Sequence, residues 1–376
     1  MKIGIDIRSL MDSNRSGVGE YTYHVLENLF KIDYTNQYFL FYNSFSKISH
    51  NLPAWNYPNV KFVESRWPNK IFNFCQKFLK YPKLDKVCGG VDLFWLPNWH
   101  FVTLSDKCHL ILTVHDLSHL RYPEFLSLKR RLWHRFLAIP KLLDRADKII
   151  AVSKSTQHDL EDLLKIDSSK IQQIYSGVEL AHSFSTIEIE MVKAKFGIDK
   201  DFIFSIGNLE PRKNVAEIIT AYNLWRQKNP KLNIDLIIAG QPSWKYKAIY
   251  KLARESEFGS QIKFINYISQ QEKHLLYSLA KVFVYPSFYE GFGIPPLEAM
   301  SHSCPVIASL NSSLSEVIGE AGILIDVVNV DDLAQAIKTT LTDSDLRASL
   351  IAKGLERVKQ FNWAETAREV KNFLEK

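Results

Sequence analysis

Short apolar runs alternate along the whole chain with longer segments of helical period. The runs are rich in Ile, Val and Phe, and residues 111–114 and 236–238 are apolar on both alternating faces. Strands covered by helices on both sides have this pattern, whereas half-exposed strands alternate apolar and polar residues. The pattern therefore predicts parallel β-sheets covered by helices, which is an α/β fold.

The same pattern predicts the positions of the strands and of the last helices. Strands are expected at 2–7, 38–42, 60–63, 92–96, 110–114, 147–152 and 171–175, and then at 202–206, 234–239, 262–265, 281–285, 305–308 and 322–325. Three consecutive helices are expected at 330–341, 343–360 and 363–375.

The pattern changes between residues 167 and 200, where a polar stretch separates one predicted strand from the next. With 376 residues, the chain is long enough for two domains. We expect the last helix to cross back to the first domain. The predicted division is a first domain at 1–180, a linker at 181–197, a second domain at 198–360 and a crossing helix at 361–376.

Composition places the chain among ordinary globular proteins. Hydrophobic residues make up 46% and charged residues 23%, which argues against a disordered or fibrous protein.

No apolar run approaches the ~18 residues that span a bilayer, and the first residues lack a signal-peptide pattern. The four cysteines are not in Cys-x-x-Cys spacing. These features favour a cytoplasmic protein with buried thiols.

Charge is distributed unevenly between the two halves. Residues 1–180 carry 24 basic and 18 acidic side chains, whereas residues 181–376 carry 23 of each. The excess of positive charge therefore lies in the first half. Such an imbalance favours an anionic partner for that half, which could be nucleic acid, a membrane surface or a phosphorylated substrate.

Two motifs in the first half lie where ligands of open α/β sheets bind. Gly17-Val-Gly19 follows the first strand and opens a helix, so that backbone N–H groups can approach a phosphate. Thr22 replaces the third glycine of the dinucleotide fingerprint, and a simple tight loop is an equal alternative. His115 follows the strand at 110–114, at the carboxyl edge of the sheet. Its alternative is a structural role, capping the strand end through Asp116.

A second strand-to-helix turn contains Gly207, Arg212 and Lys213. Cations at a helix N-terminus oppose the helix dipole by about 0.3–1 kcal/mol, so this placement requires an anion to offset it. A diphosphate is the natural candidate. The alternative is a pair of solvated surface charges.

The most specific stretch runs from Glu290 to Glu298. Gly291 and Gly293 permit a sharp turn with exposed N–H groups, and the two following prolines suit the first turn of a helix. Two carboxylates close to exposed amides suit the binding of vicinal hydroxyls, as on a sugar and a ribose. Helix capping alone would explain one of the two glutamates.

With these motifs, the chain resembles glycosyltransferase family 4 over essentially its full length. The resemblance lies in the Gly17-Val-Gly19 loop, His115-Asp116, the Glu210–Asn214 stretch and the Glu-x7-Glu pattern from Glu290 to Glu298. It implies a GT-B fold, with two Rossmann-like domains facing across a cleft, and a retaining transferase that uses a nucleotide-activated sugar. Within the family, the chain looks most like bacterial mannosyltransferases of polysaccharide and O-antigen assembly.

The resemblance also implies roles for individual residues. Arg212 and Lys213 would neutralise the donor diphosphate, Glu298 would bind the ribose hydroxyls and His115 would reach the donor sugar from the opposite domain. Glu290, with the amides of Phe292 and Gly293, would hold the donor sugar. The other implied donor-binding positions are Gly17, Gly19, Gly207, Tyr267, Ile268, Gly291 and Ile294. Ser176 stands where many members have Asn, which concerns only the hinge between the domains.

The expected reaction is transfer of a hexose, with mannose from GDP-mannose favoured, to a glycan or lipid-linked glycan. Arg212 and Lys213 would replace the divalent metal of other glycosyltransferases, so neither a metal nor a cofactor is expected. No carboxylate nucleophile is evident for double displacement. We therefore expect attack on the face that the leaving phosphate occupies, as is proposed for the family.

Two basic stretches in the first half suggest where the excess charge acts. Residues 121–148 contain eight cations and three acids, and predict a basic amphipathic helix at least up to Pro140. Residues 67–83 combine aromatic side chains with lysines. Contact with an anionic inner membrane leaflet and packing of the apolar side chains against the sheet are both consistent with this pattern.

Two other functions remain as alternatives. A GT-B enzyme that transfers no sugar to an acceptor, such as a nucleotide-sugar epimerase or a phosphorylase-like enzyme, would share the motifs of the second half. A nucleic-acid-binding protein would explain the basic half, but it would leave the Glu-x7-Glu pattern unexplained. We therefore expect no nucleic-acid partner.

Overall fold

The computed structural model describes residues 1–12, 15–46, 48 and 51–376. Its strands are β1 (Lys2–Asp6), β2 (Gln37–Asn43), β3 (Val60–Ser65), β4 (Leu93–Leu96), β5 (His109–Val114), β6 (Lys148–Ala151), β7 (Ile171–Gln173), β8 (Phe202–Ile206), β9 (Asp235–Ala239), β10 (Ile262–Ile265), β11 (Val282–Tyr285), β12 (Val306–Ser309) and β13 (Ile323–Ile325).

The α-helices are α1 (Gly17–Ile32), α2 (Asn69–Phe74), α3 (Leu84–Val87), α4 (Ser118–Arg121), α5 (Leu128–Leu137), α6 (Ile139–Arg145), α7 (Lys154–Leu164), α8 (Thr186–Phe196), α9 (Val215–Lys228), α10 (Tyr246–Glu255), α11 (Gln270–Leu279), α12 (Ile294–Ser301), α13 (Ser313–Ile318), α14 (Val330–Thr342), α15 (Ser344–Val358) and α16 (Trp363–Glu375).

The first sheet is entirely parallel and has the order β3-β2-β1-β4-β5-β6-β7. In its middle, Ile3 of β1 is paired with Tyr38 of β2 on one side and with Leu93 of β4 on the other. The direction of winding reverses between β1 and β4. In open α/β sheets, ligands bind beyond the carboxyl ends of the strands at this point.

The second sheet repeats the arrangement with the parallel order β10-β9-β8-β11-β12-β13. Here the winding reverses between β8 and β11, where Ile203 is paired with Val282. The strands are apolar on both faces because both faces are covered, and Ile203, Val284 and Ile307 are completely buried. The α/β fold expected from the sequence is confirmed, with the Rossmann strand order in both sheets.

The chain forms two compact units. Unit 1 comprises Met1–Arg121, Leu128–Gly177 and Asn362–Lys376, and unit 2 comprises Tyr122–Ser127 and Val178–Phe361. Helix α16 belongs to unit 1 and packs on α1, which confirms that the C-terminal helix crosses back to the first domain. Helix α8, within the predicted linker, belongs to unit 2.

The predicted strands and the three last helices are all found within the described residues, with ends that differ by at most two residues. The four cysteines are buried and free, as expected. The expectation of a continuous basic helix up to Pro140 was wrong. Helix α5 ends at Leu137 because Ala138 adopts the left-handed conformation, with φ 54°, and Pro140 lies in the first turn of α6.

Helix α16 begins where two chain segments approach very closely. A Cβ added at Gly177 would lie 2.4 Å from the backbone N of Trp363 and 2.6 Å from its ring. The Trp363 ring stacks on His24 of α1, with centroids 5.0 Å apart. The hydroxyl of Thr366 donates to the carbonyl of Tyr175 at 2.9 Å. The absence of a side chain at residue 177 therefore lets α16 dock on unit 1.

We predict that Gly177→Ala loosens this docking and lowers the free energy of unfolding by about 1–3 kcal/mol, because the backbone of Trp363 must move to make room. Urea unfolding, together with limited proteolysis near residue 362, measures the effect. Gly17→Ala is the control, since a Cβ there meets no atom within 4 Å. Equal stability of the two variants would contradict the prediction.

Candidate functional site

A buried cluster of opposite charges lies beyond the carboxyl ends of β8 and β11. The ammonium of Lys213 donates to Oε1 of Glu290 at 2.5 Å and to the hydroxyl of Tyr285 at 2.6 Å. Arg212 lies 3.1 Å from Oε2 of Glu290 and also donates to the carbonyl of Tyr289 at 2.6 Å. Its other terminal nitrogen donates to Glu210 at 3.0 Å. Two cations and two carboxylates thus form one network in unit 2.

The strand order explains why these residues meet. Arg212 and Lys213 lie in a short 3-10 turn, Pro211–Lys213, after β8, and Glu290 follows β11, the neighbouring strand. Gly207 has φ 149°, and a Cβ there would lie 3.3 Å from the Lys213 side chain. Asn214 then adopts the left-handed conformation and anchors the turn by donating to the carbonyl of Val327 at 2.9 Å. Together these contacts fix where the ammonium lies.

Burial and charge act in opposite directions at this cluster. Burial raises the pKa of Glu290, but Arg212, Lys213 and the hydrogen bonds from Lys213 and Ser287 outweigh it and lower that pKa to about 2. Burial lowers the pKa of Lys213, and the Glu290 carboxylate partly offsets this. Burial also raises the pKa of Tyr285 strongly, so its hydroxyl stays protonated. Glu290 is therefore ionised at neutral pH.

The sequence argument required an external anion to offset Arg212 and Lys213. The structure corrects this, because Glu210 and Glu290 of the chain itself supply the compensating charge. The residues near the helix terminus give no sign of the Glu290 partner, because Glu290 lies 77 residues further along the chain.

The segment after Glu290 is held in a sharp turn. Gly293 has φ 100°, and a Cβ there would lie 2.6 Å from the side chain of Leu314. The hydroxyl of Ser313 lies within hydrogen-bond distance of the carbonyls of Glu290 and Phe292. Helix α12 then begins at Ile294, with Pro295 and Pro296 in its first turn, as predicted. Gly291 lies inside this turn, between the two residues whose carbonyls Ser313 contacts.

Glu298 lies in α12 and is also paired. Its Oε1 accepts from Lys273 at 2.5 Å, and its Oε2 accepts from the hydroxyl of Tyr277 at 3.1 Å. The sequence analysis did not identify either partner. Their spacing of four residues places them on one face of α11, but this signal becomes useful only once Glu298 is known to face that helix.

Tyr267 and Ile268 lie in the connection between β10 and α11, and Tyr267 is half-exposed. This connection follows the carboxyl end of a strand of the second sheet, as do the turns that carry Lys213 and Glu290.

In unit 1, Gly17 and Gly19 lie in the first turn of α1. The N-cap hydroxyl of Ser16 accepts from the amide of Gly19 at 3.4 Å. A Cβ at residue 19 would lie 2.9 Å from the carbonyl of Ser9, so glycine is required there for close packing. Residue 17 has no such contact.

His115 follows β5, and its Nε2 lies 2.8 Å from the carbonyl of Pro97, which follows β4. A carbonyl can only accept, so Nε2 carries the hydrogen. Burial lowers the pKa of His115, and the ring is therefore neutral near pH 7, with a lone pair on Nδ1. The ring also packs edge-on against Tyr21 at 4.8 Å. Asp116 instead accepts from the amide and hydroxyl of Ser118.

The sequence analysis did not identify a buried ion pair at the end of β1. Nε of Arg8 lies 3.0 Å from both carboxylate oxygens of Asp6, and its guanidinium also donates to the carbonyl of Phe101 at 3.0 Å. Burial raises the pKa of Asp6, but Arg8 and His100 outweigh this and lower it. The only sequence signal of this ion pair is an acid and a base two residues apart at the end of the first strand.

Two Asp-x-Asp spacings occur in the chain, but neither lies at this cluster. Asp199 and Asp201 precede β8, at the opposite edge of the sheet, and pair with Lys263 and Lys281. Asp343 caps helix α15 by accepting from the amides of residues 345 and 346. Among the described residues, no group of three or more His, Cys, Asp or Glu side chains is arranged to hold a metal ion.

The predicted site residues thus fall into two sets. Unit 2 contains Gly207, Arg212, Lys213, Tyr267, Ile268, Glu290, Gly291, Phe292, Gly293, Ile294 and Glu298, and unit 1 contains Gly17, Gly19 and His115. In unit 2 the structure brings Arg212, Lys213 and Glu290 into direct contact, whereas Glu298 has separate partners.

Family models match both units. Residues 16–182 match the model described as Glycosyltransferase Family 4, and residues 187–357 match Glycosyl transferases group 1. The chain is also 31% identical over 280 residues to an O-antigen chain mannosyltransferase B of Escherichia coli, covering 73% of the chain and 72% of that relative. The chain belongs to glycosyltransferase family 4.

Other relatives of this glycosyltransferase include a second mannosyltransferase and an enzyme whose name specifies a different sugar. It is 34% identical over 232 residues to the serotype-specific mannosyltransferase WbdA of Escherichia coli, covering 60% of the chain but only 28% of WbdA. It is 27% identical over 342 residues to an N-acetylgalactosaminyltransferase of Campylobacter jejuni, covering 87% of the chain and 88% of that relative, which acts on a diphospho-undecaprenol-linked sugar according to its name.

Solved structures share the fold of the enzyme. Anabaena HepE, crystallised with UDP and glucose, superposes with a TM-score of 0.76 at 16% identity, covering 100% of this chain and 99% of HepE. Sucrose-phosphate synthase from Thermosynechococcus elongatus superposes with a TM-score of 0.77 at 21% identity, covering 100% and 98%. The enzyme therefore has the GT-B fold. None of its described helices is long and apolar enough to cross a membrane.

We predict that Glu290→Gln lowers the free energy of unfolding by about 3 kcal/mol at pH 7, because it leaves Arg212 and Lys213 buried beside a neutral amide. The folded-state pKa of Glu290 is lowered to about 2, so the stabilisation is complete above its ordinary pKa and is lost as the pH falls. Urea unfolding at pH 7 and pH 3 should therefore show the gap between wild type and variant narrowing at the lower pH.

Glu320→Gln is the matched control, since Glu320 pairs with Lys353 at 3.4 Å on the surface. Its effect should stay within about 0.5 kcal/mol. A Glu290→Gln variant as stable at pH 7 as this control would contradict the buried-pair interpretation.

Proposed function

We propose that this glycosyltransferase moves a hexose, with mannose from GDP-mannose favoured, from a nucleotide-sugar donor to a glycan or lipid-linked glycan acceptor. We propose further that it does so without a metal ion and with retention of configuration. The observation that carries the proposal is the buried network in which Glu290 holds Arg212 and Lys213 at the carboxyl edge of the second sheet.

Cleavage of a sugar–phosphate bond develops negative charge on the leaving diphosphate. Cations that are already fixed in place stabilise this charge without reorganisation, and therefore act more strongly on the transition state than on the ground state. Lys213 uses two of its three N–H groups, within the described residues, on Tyr285 and Glu290. The third is available to a phosphate oxygen. Arg212 supplies a second charge beside it.

The two carboxylates have different parts in donor binding. Glu290 accepts bonds from hydroxyls of the sugar, aided by the amides of Phe292 and Gly293 in the turn that Ser313 fixes. Glu298 accepts bonds from the ribose hydroxyls, while Lys273 and Tyr277 orient its carboxylate. The backbone at Tyr267 and Ile268 contacts the base. Gly207 and Gly291 allow the turns that carry these groups, and Ile294 begins helix α12.

Unit 1 provides the acceptor side, and Gly17, Gly19 and His115 belong to it. The neutral His115 accepts a hydrogen bond from the donor sugar through Nδ1, because Nε2 is committed to Pro97. The acceptor hydroxyl attacks the face that the leaving phosphate occupies, and a phosphate oxygen takes its proton. One C–O bond to the sugar forms as the bond to phosphate breaks. Because the new bond forms on the face that the phosphate leaves, the configuration is retained.

The mannosyltransferase names of several relatives support mannose as the sugar, and an O-antigen chain or another surface polysaccharide as the acceptor. The Campylobacter relative, whose name specifies a lipid-diphosphate-linked substrate, supports a lipid-linked form of this acceptor.

We predict that Lys213→Ala lowers kcat by about 10²–10³ at saturating donor, because one charge on the leaving diphosphate is lost. A thermal-shift panel of GDP, UDP and their sugars first identifies the donor, since a ligand of the native state raises the melting temperature. Transfer is then assayed with that donor.

Lys263→Met is the control for this variant. Lys263 is also a paired lysine of unit 2, bonded to Asp235 at 2.7 Å, but it lies in β10 outside the cluster. It should leave kcat unchanged. A near-normal rate for Lys213→Ala would contradict the proposed role, and the lack of a thermal shift with any nucleotide sugar would overturn the donor assignment.

We predict that an α-linked donor gives an α-linked product and that chelation by EDTA does not change the rate. Proton NMR of the anomeric signal distinguishes the α product from the β product that inversion would give. A β product would overturn the same-face mechanism, and a rate lost to EDTA and restored by a divalent cation would overturn metal independence.

A further inference from the structure

Two segments of unit 1 that are distant in sequence form one surface. Helix α2 continues into a π-helical turn, Cys75–Leu79, and this segment lies beside α5. The ammonium of Lys77 lies 3.3 Å from the centre of the Phe136 ring and donates to the carbonyl of Phe136. The rings of Phe78 and Phe136 are 6.1 Å apart. We call residues 70–83 and 128–141 together the basic apolar face.

The outer part of this face is unusually apolar for a protein surface. Trp133 and Phe136 pack against Phe101, each with centroids 5.5 Å from its ring, and this anchors α5 to unit 1. Other large side chains extend outward, and they are between 54% and 73% exposed. They are Phe74, Phe78, Leu79, Tyr81, Leu128 and Leu132. Packing against the sheet, the alternative explanation of these apolar positions, accounts for the anchoring residues and not for this outer set.

The charge of the face has a single sign. Residues 70–83 contain four lysines, residues 128–141 contain two lysines and three arginines, and neither stretch contains Asp or Glu. Lys80 and Lys141 both act on Lys77, whose pKa is lowered by partial burial and by these two charges. Exposed aromatic and leucine side chains in a positive field complement a layer that is anionic at its surface and apolar beneath.

We propose that the basic apolar face docks on the surface of an anionic phospholipid bilayer. The outward-facing Phe, Leu and Tyr side chains enter the headgroup region, and the surrounding lysines contact lipid phosphates. Docking would bring unit 1 to the place where a lipid-linked acceptor lies, and only this last consequence rests on the proposed function.

The test uses full-length protein and vesicles, with no donor or acceptor present. The protein should sediment with vesicles in which about one third of the lipid is phosphatidylglycerol, but not with pure phosphatidylcholine vesicles, and high salt should release it. Phe78→Ser/Leu132→Ser and Lys80→Glu/Lys83→Glu should each weaken binding about tenfold. Their melting temperatures show whether they remain folded.

Ile187→Ser/Met191→Ser is the matched control, because both side chains are as exposed as those of the face but lie on α8 in unit 2. It should bind like wild type. Brominated lipid should quench Trp133 fluorescence, and Trp133→Phe should remove that part of the quenching.

Three results would overturn the docking proposal: no binding to anionic vesicles, equal binding to neutral ones, or sedimentation without vesicles, which would indicate self-association. Transfer to a soluble glycan separates this proposal from the catalytic one, and the folded surface variants should keep it. Wild-type protein that transfers fully but does not bind vesicles defeats docking alone. Wild-type protein that binds vesicles but transfers no sugar defeats the proposed function alone.

Discussion

The candidate site of unit 2 depends on the contact between Lys213 and Glu290. Both groups are largely buried, and without Glu290 the ammonium of Lys213 would lose its carboxylate partner in the cluster. Glu290 is also paired with Arg212. The pair orders the 3-10 turn after β8 and the glycine-rich turn after β11, because each turn carries one partner. Together with Arg212 and Glu210, the pair balances two positive charges with two negative charges before any donor enters. A donor therefore meets charges that are already oriented, and little of its binding energy is needed to arrange them.

The strand positions could be predicted from the sequence because parallel strands covered on both faces leave a plain signal, a short run of apolar residues. The turn at Gly293 could also be predicted, since a glycine before two prolines limits what the backbone can do. The end of α5 at Leu137 could not, because an alanine gives no sign that it adopts a left-handed conformation.

The partners of the catalytic candidates were harder still to predict. The counter-charge for Lys213 lies 77 residues away and joins it through the strand order, so an argument confined to one helix terminus required an outside anion instead. Lys273 and Tyr277 could not be predicted as partners of Glu298, because the sequence does not show that α11 faces this carboxylate. The sequence identified residues able to bind a donor, whereas their supporting contacts depend on which elements are neighbours in space.

The position of α16 has a consequence for the order in which the protein is assembled. The chain leaves unit 1 after Gly177, builds nearly all of unit 2, and only then supplies the helix that packs on α1. During synthesis, unit 2 can be complete while the α1 surface that receives Trp363 is still bare. Unit 1 therefore depends on residues made after nearly all of unit 2, and a ribosome that stops before residue 362 releases one finished unit joined to one unfinished unit.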